Sequence, residues 1–163
     1  MVDVAVVTGV GGMGVACARR LGGGRHLVLA DFDEAKLQGV VDELTGDGMT
    51  VVGQRVDVSD RASVDELVRV VRELGPLRAL VHTAGLSPTQ ATAHRVLEVD
   101  MLGTDHVLNA FLDVVVDGTA AVCIASMAGF RMPRPEPIGA PSGMMATQPL
   151  SSSRLAPTGS SAQ

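Results

Sequence analysis

The stretch TGVGGMG, residues 8–14, decides how this chain begins to fold, because it joins two segments of opposite character. The run DVAVVT, residues 3–8, comes before it and is rich in β-branched side chains, which predicts a buried strand. The segment MGVACARRL, residues 13–21, comes after it and consists of good helix formers, which predicts a helix that begins near Gly12. The stretch is therefore predicted to be a glycine-rich turn from a strand into a helix.

Three glycines in this turn have the spacing of a phosphate-binding loop. Gly9 allows the tight turn, Gly11 lets the backbone approach a pyrophosphate, and Gly14 lets the helix pack close to the strand. The N-terminus of the helix offers unpaired N–H groups to the anion. The spacing alone is a weak signal in a chain with 19 glycines. The strand and the helix on either side make it a dinucleotide-binding fingerprint.

This fingerprint requires an acidic residue at the end of the second strand, about 20 residues further on. The second strand is predicted at HLVLAD, residues 26–31, and Asp31 lies 22 residues after Gly9. A carboxylate at this place accepts hydrogen bonds from the adenosine ribose and repels a 2′-phosphate. The sequence therefore predicts NAD, preferred over NADP, as the cofactor. The alternative is a glycine-rich connection with an incidental aspartate.

Strands and helices continue to alternate along the chain. Asp33 predicts the cap of a second helix, and Ser63 with Glu66 predicts a capping box for a third. The remaining predicted elements are a strand at residues 49–58, a strand with its loop at 77–85, a fourth helix with apolar residues at helical spacing (Leu97, Met101, Leu108, Leu112 and Val115) and a fifth strand at 119–126. Alternation of this kind predicts an α/β fold, a doubly wound parallel sheet of about five strands covered on both faces.

The composition changes near residue 130. Acidic residues outnumber basic ones before this point, whereas the reverse holds after it, and six of the eight prolines lie beyond it. We therefore predict one folded, dinucleotide-binding domain at residues 1–130 and a tail rich in Pro, Ser and Gly at 131–163, which we expect to be mostly disordered.

Several other functions are disfavoured by the sequence. The net charge of −5 gives no basic footprint for nucleic acid. No apolar run approaches the ~18 residues of a membrane helix, and Asp3 stands where a signal peptide would carry positive charge. Cys17 and Cys123 have no metal-ligand spacing, so we predict reduced, buried thiols and no metal site. A cytoplasmic protein without nucleic-acid or membrane partners is expected.

Over about the first 130 residues, the chain resembles the short-chain dehydrogenase/reductase family in four signatures that follow the family's order. TGVGGMG resembles the family's Thr-Gly-rich motif, one residue shorter than its commonest version, and Asp57-Val58 resembles the Asp-Val pair that contacts the adenine. HTAG at residues 82–85 resembles the Asn-Asn-Ala-Gly turn, and SMAG at 126–129 resembles the end of the fifth strand, which puts Ser126 on the catalytic serine.

The resemblance implies a Rossmann-like fold and an NAD-dependent oxidoreductase that moves hydride between a secondary alcohol and a ketone. The implied cofactor contacts are Thr8, Gly9, Gly11, Gly12, Met13, Gly14, Asp31, Asp57, Val58, Ala84 and Gly85. Asp100 stands where the family has the asparagine of a proton relay. An ionised carboxylate accepts hydrogen bonds but does not donate them.

The family's chemistry also needs a tyrosine and a lysine four residues later. The chain has no tyrosine, and its single lysine, Lys36, belongs to the second helix. We therefore expect a catalytically impaired chain that is incomplete relative to the family and in which Ser126 is a remnant. The alternatives are a non-catalytic NAD-binding module and a truncated or frameshifted product. We also expect association of identical chains through the fourth helix or through the exposed edge of the fifth strand.

Overall fold

The computed structural model describes residues 1–126, and they form a single parallel sheet with helices on both faces. The strands are Val4–Thr8 (β1), His26–Asp31 (β2), Thr50–Arg55 (β3), Leu77–His82 (β4) and Ala120–Cys123 (β5). All neighbouring strands pair in parallel, in the order β3-β2-β1-β4-β5. This arrangement confirms the predicted fold class. The predicted tail at 131–163 lies outside the described residues.

The helices follow the strands in strict alternation. They are Gly12–Leu21 (α1), Glu34–Gly46 (α2), Arg61–Leu74 (α3), Ala93–Val96 (α4) and Gly103–Phe111 (α5). A π-helical segment at Leu97–Leu102 joins α4 to α5, and a 3₁₀ turn at Leu112–Val114 follows α5. Helices α1 and α2 pack on one face of the sheet, whereas α3 and α5 pack on the other. Both faces are therefore covered, as the alternation predicted.

Strand β1 lies in the middle of the sheet, and its side chains alternate between two separate cores. Val4 and Val6 join the core under α3 and α5, whereas Ala5 and Val7 join the core under α1 and α2. All four side chains are fully buried. A strand buried on both faces needs apolar side chains at every position. This requirement explains why the sequence of β1 is a continuous apolar run without a polar alternation.

Helix α3 begins earlier than its predicted capping box allows, so the box at Ser63 and Glu66 is wrong. The N-cap is Asp60, whose carboxylate accepts a hydrogen bond from a backbone N–H in the first turn. Ser63 lies inside the helix, and its hydroxyl accepts the backbone N–H of Asp57 at 3.0 Å. The apolar stripe of this helix is buried as its spacing predicts, at Val64, Leu67, Val68 and Val71.

The fourth predicted helix carries apolar side chains on two faces, and the structure buries the face that the periodicity did not single out. The side chains at Leu97, Met101, Leu108, Leu112 and Val115 are exposed. The buried ones are Val99, Val107, Ala110 and Phe111. Both sets have helical spacing, so the periodicity alone does not distinguish the core face from the outer face. We call this exposed apolar stripe, which extends from α5 into the flanking π-helical and 3₁₀ segments, the surface of α5.

Candidate functional site

The glycine loop lies at the carboxyl end of β1, next to the turn that follows β4. Gly9 has a φ of +85°, and a Cβ atom there would lie 2.6 Å from the backbone nitrogen of Ala84. A Cβ atom on Gly14 would lie 1.8 Å from the carbonyl oxygen of Gly9. By contrast, a Cβ atom on Gly11 or Gly12 would meet nothing within 4 Å. Two glycines are thus required by close packing, and two border open space.

The start of α1 has the properties of an anion-binding helix end. Its N-cap, Gly11, provides no side-chain cap, and the first turn contains no acidic residue. The first N–H groups of a helix have no partner within the helix, and they carry partial positive charge. Met13, in the first turn, is 60% exposed. A phosphate group fits both the space and the charge here.

Asp31 ends β2 and binds directly to the glycine loop. Its Oδ2 accepts the backbone N–H of Val10 at 2.7 Å, and its Oδ1 accepts that of Asp33 at 3.0 Å. The Asp31 side chain is 15% exposed. A carboxylate offers about four acceptor positions. These two backbone bonds therefore fix its orientation and still leave acceptor positions for the hydroxyl groups of a ligand.

Lys36 lies close to this carboxylate, as expected for a lysine of the second helix on the adenosine side, and Arg55, which no sequence pattern indicated, lies on the neighbouring strand. The Nζ of Lys36 is 3.9 Å from Asp31 Oδ2. The guanidinium of Arg55 lies 4.9 Å from the centroid of the Phe32 ring. Arg55 reaches this place because its residue pairs with Asp31 in the register of β2 with β3. Strand register is a property of the sheet, so only a predicted β2–β3 pairing could have indicated Arg55.

Asp57 follows β3 and is held by three hydrogen bonds. Its Oδ1 accepts the backbone N–H of Ser59 at 3.0 Å and the hydroxyl of Ser59 at 2.6 Å. Its Oδ2 accepts Nη2 of Arg95 at 3.0 Å. Burial by itself raises the pKa of Asp57, but the bonds from Ser59 and Arg95 outweigh it, so the net shift is downward. Asp57 is therefore an oriented and ionised acceptor.

A cavity of about 280 Å³ brings these groups together. Of the predicted site residues, it is lined by Gly9, Asp31, Asp57, Val58 and Ala84. The remaining lining residues are Ala30, Phe32, Val56, Leu86, Arg95 and Val99. Most of the wall is apolar, and the carboxylates come from the ends of two different strands. A flat, mostly apolar group with a few polar edges matches such a wall.

His82, the buried last residue of β4, joins this strand to β1 and to α5. His82 Nδ1 lies 2.6 Å from the hydroxyl of Thr8, and its Nε2 lies 3.0 Å from that of Thr104. The Thr104 hydroxyl donates to the carbonyl of Asp100, so Nε2 donates to Thr104 and Nδ1 accepts from Thr8. Burial lowers the pKa of His82, partly opposed by the charge of Asp100. The Thr8 hydroxyl is therefore engaged inside the protein, and this predicted cofactor contact is only 1% exposed.

Asp100 and Gly85 meet in the same region. Asp100 Oδ1 accepts the backbone N–H of Leu86 at 2.7 Å, and a Cβ atom on Gly85 would lie 3.4 Å from this oxygen. Asp100 thus holds the loop after β4. Ser126 is the last residue that the structure describes and comes three positions after the end of β5. Its assignment as a catalytic remnant stays a prediction.

Cys17 is partly buried and Cys123 is exposed, so the prediction of buried thiols is wrong for Cys123. Residues 1–126 contain no group of three or more His, Cys, Asp or Glu side chains that could hold a metal ion. Among the same residues, no helix has the length and apolar character that crossing a membrane requires.

Several known proteins are similar to this chain. The family model described as short chain dehydrogenase matches residues 3–138. A short-chain dehydrogenase/reductase of Alternaria brassicicola is 33% identical over 144 residues, which are 88% of this chain and 53% of that protein.

Two crystal structures of enzymes give the same result. One is a short-chain dehydrogenase/reductase from Burkholderia phymatum in complex with NAD, with a TM-score of 0.69 and 33% identity over 80% of this chain and 51% of the other. The second is actinorhodin polyketide ketoreductase with NADPH, with a TM-score of 0.69 and 29% identity over 79% of this chain and 55% of the other. The chain spans about half the length of these relatives. On the family match and the shared fold, the chain belongs to the short-chain dehydrogenase family.

Proposed function

We propose that the domain predicted at residues 1–130 binds NAD at the carboxyl ends of β1, β2 and β3. The pyrophosphate would lie at Gly11, Gly12 and the start of α1, the adenosine ribose beside Asp31, and the adenine beside Asp57 and Val58. The observation that carries this proposal is that Gly9 of the glycine loop, Asp31 and Asp57 line one cavity. Parallel sheets bind ligands at this place, where the strand order reverses between β1 and β4.

The class of reaction that we propose is hydride transfer between a nicotinamide cofactor and a secondary alcohol or ketone, carried out by the full-length relatives. NAD, when bound, supplies the hydride acceptor. This chain would contribute the cofactor site, with Ser126 as the remnant of a substrate-orienting residue. It contains no tyrosine to exchange a proton with the substrate oxygen. Loss of a general acid or base costs about 10²–10⁴-fold in rate.

The second candidate is a nucleotide-binding module without chemistry, of which a truncated or frameshifted product is one origin. One observation favours it. Lys36, the single lysine of the chain, lies against Asp31 and not near Asp100 or the β4 turn. It is therefore positioned for the adenosine end of a dinucleotide and not for the nicotinamide ribose.

The preference for NAD over NADP rests on the charge of Asp31. In this proposal the carboxylate receives the adenosine ribose, and its two backbone hydrogen bonds fix its orientation. Lys36 and Arg55 lie nearby and work against this preference, because cations attract a 2′-phosphate. Lys36 is already paired with Asp31, and Arg55 stacks on Phe32. We therefore propose that the net discrimination favours NAD.

The change Asp31→Asn tests this proposal. It should weaken NAD binding and strengthen NADP binding relative to NAD, because the repulsion of the 2′-phosphate is lost. Hydrogen bonds to charged groups contribute ~1.5–3 kcal/mol, so the ratio of the two dissociation constants should change by about 10–100-fold. Calorimetric titration of the wild type and the variant with both dinucleotides measures this ratio.

Asp42→Asn is the matched control, because it removes the same charge from an exposed position of α2 outside the cavity. It should leave the ratio unchanged. A wild-type chain that binds NADP more tightly than NAD would contradict the role of Asp31, and a chain that binds neither would contradict the proposed site.

We propose that identical chains associate through the surface of α5 or through the edge of β5. We also propose that the protein acts in the cytoplasm. Leu112 is 67% exposed and Val122 is 51% exposed, which places large apolar side chains on both surfaces.

A further inference from the structure

We propose that Arg95 is a positioning residue that makes the nucleotide site selective for adenine over hypoxanthine. This inference rests on the proposed binding of NAD and adds a residue to it. Arg95 lies in α4, which follows β4, whereas its partner Asp57 follows β3. Both residues line the cavity. The bond between them therefore joins two walls of one site.

The guanidinium of Arg95 makes three contacts that together define its position. Nη2 donates to Asp57 Oδ2 at 3.0 Å, and Nη1 donates to the hydroxyl of Ser59 at 2.7 Å and to Glu98 Oε2 at 3.2 Å. Glu98 lies three residues after Arg95, in the π-helical segment that follows α4, and accepts a hydrogen bond from the guanidinium. A planar group with several fixed donors suits such a junction better than the single ammonium of a lysine.

The hydrogen bonds to Asp57 leave part of its carboxylate for a ligand. A carboxylate offers about four acceptor positions. The two positions on Asp57 Oδ1 are used by the backbone N–H and the hydroxyl of Ser59, and one position on Oδ2 is used by Arg95. One acceptor position on Oδ2 remains. Arg95 thereby fixes both the identity of the free acceptor and its direction.

An oriented carboxylate acceptor distinguishes the two purines by their substituent at carbon six. Adenine carries an amino group there, which donates a hydrogen bond to the free position of Asp57. Hypoxanthine carries a carbonyl oxygen, which meets the same carboxylate lone pair to lone pair. The surrounding wall at Val58 and Val99 is apolar and 7% exposed at each residue, so these side chains offer the carbonyl oxygen no hydrogen-bond donor in place of the lost bond. Selectivity at this end of the ligand depends on Asp57 staying oriented.

The test measures binding of NAD and of nicotinamide hypoxanthine dinucleotide to the wild type and to Arg95→Met. The variant should lose about tenfold in affinity for NAD and change little for the hypoxanthine analogue, so that the ratio of the dissociation constants falls about tenfold. Arg95→Lys keeps a cation beside Asp57 and should recover part of the ratio. A residue with only a structural role would weaken both ligands equally.

Two control variants separate the explanations. Arg61→Met removes an exposed arginine that pairs with Asp65 outside the cavity, and it should leave the ratio at its wild-type value. Glu98→Gln removes a partner of Arg95 but not the bond to Asp57, and it should keep most of the ratio.

The outcomes distinguish this inference from the proposed function. If the wild type binds NAD and Arg95→Met keeps the wild-type ratio, the inference is wrong and the proposed function stands. If Arg95→Met does not fold, Arg95→Lys decides: a wild-type ratio in that variant contradicts the fixed-donor geometry, and an intermediate ratio supports it. A wild type that binds neither dinucleotide contradicts the proposed function and this inference together.

Discussion

Individual glycines in the loop after β1 have different physical roles. Gly9 and Gly14 are packed against backbone atoms, so that a methyl group at either position would overlap them. Gly11 and Gly12 border open space. The first pair is therefore needed to fold the loop, and the second pair is needed to leave room for a ligand.

The pair Gly14→Ala and Gly11→Ala separates these roles. Gly14→Ala should lower the free energy of unfolding by ~1–3 kcal/mol, because the new Cβ atom would lie 1.8 Å from a carbonyl oxygen. Gly11→Ala should cost less than about 1 kcal/mol as a change of N-cap and should weaken NAD binding, because the methyl group enters the space for the pyrophosphate. Thermal unfolding with and without NAD measures both effects. A Gly11→Ala variant that is less stable than Gly14→Ala would contradict this division.

At the scale of elements, β5 differs from the other strands because its residues are exposed along their whole length. In the described sheet it pairs only with β4, so one of its edges offers backbone N–H and C=O groups. The side chains of Val122 and Ile124 are 51% and 44% exposed. The opposite edge, β3, carries Gln54 and Arg55, and such polar side chains discourage pairing between copies.

The change Val122→Lys should reduce association of the chain, because a charge on an exposed edge strand disfavours pairing with a second strand. Sedimentation velocity over a range of concentrations should show a smaller fraction of dimers and larger species. Thr50→Lys adds the same charge at the opposite edge of the sheet and should leave association unchanged. If only Leu112→Glu reduces association, the surface of α5 and not the β5 edge carries it.

At the scale of the whole molecule, the described residues place the cofactor-facing groups at one end of the sheet. Glycine loop, Asp31 and Asp57 lie at the carboxyl ends of β1, β2 and β3, and the β4 turn joins them through His82 and Thr8. This half of the family's fold is sufficient to shape the cavity in which we propose that NAD binds. We also propose that proton exchange with the substrate depends on a tyrosine, and the 163 residues contain none.

The purified chain should therefore bind NAD without oxidising secondary alcohols above the uncatalysed background. Formation of NADH, followed by its absorbance with a panel of secondary alcohols, measures the rate on the sample used for the binding titration. A full-length family member in the same assay controls for the substrates and conditions. Turnover above background that depends on the chain's concentration would show that another group replaces the tyrosine.

Local patterns in the sequence were sufficient to predict the order of the strands and helices, the glycine turn and the acid at the end of β2. These features depend on residues within about 30 positions of one another, since a strand, a turn and a helix are specified by local spacing and by turn residues. The parallel sheet followed from their alternation. Asp31 could be assigned because the carboxyl ends of neighbouring parallel strands meet at one edge of the sheet.

Other features were decided only by the tertiary structure. The N-cap of α3 is Asp60 and not Ser63, whose hydroxyl accepts the backbone N–H of Asp57 in the turn after β3. Two apolar stripes run along the segment around α5, and packing against the sheet decided which of them is buried. The bond from Arg95 to Asp57 spans 38 residues. Contacts of this kind are set by the packing of distant elements, and no local pattern in the sequence specifies them.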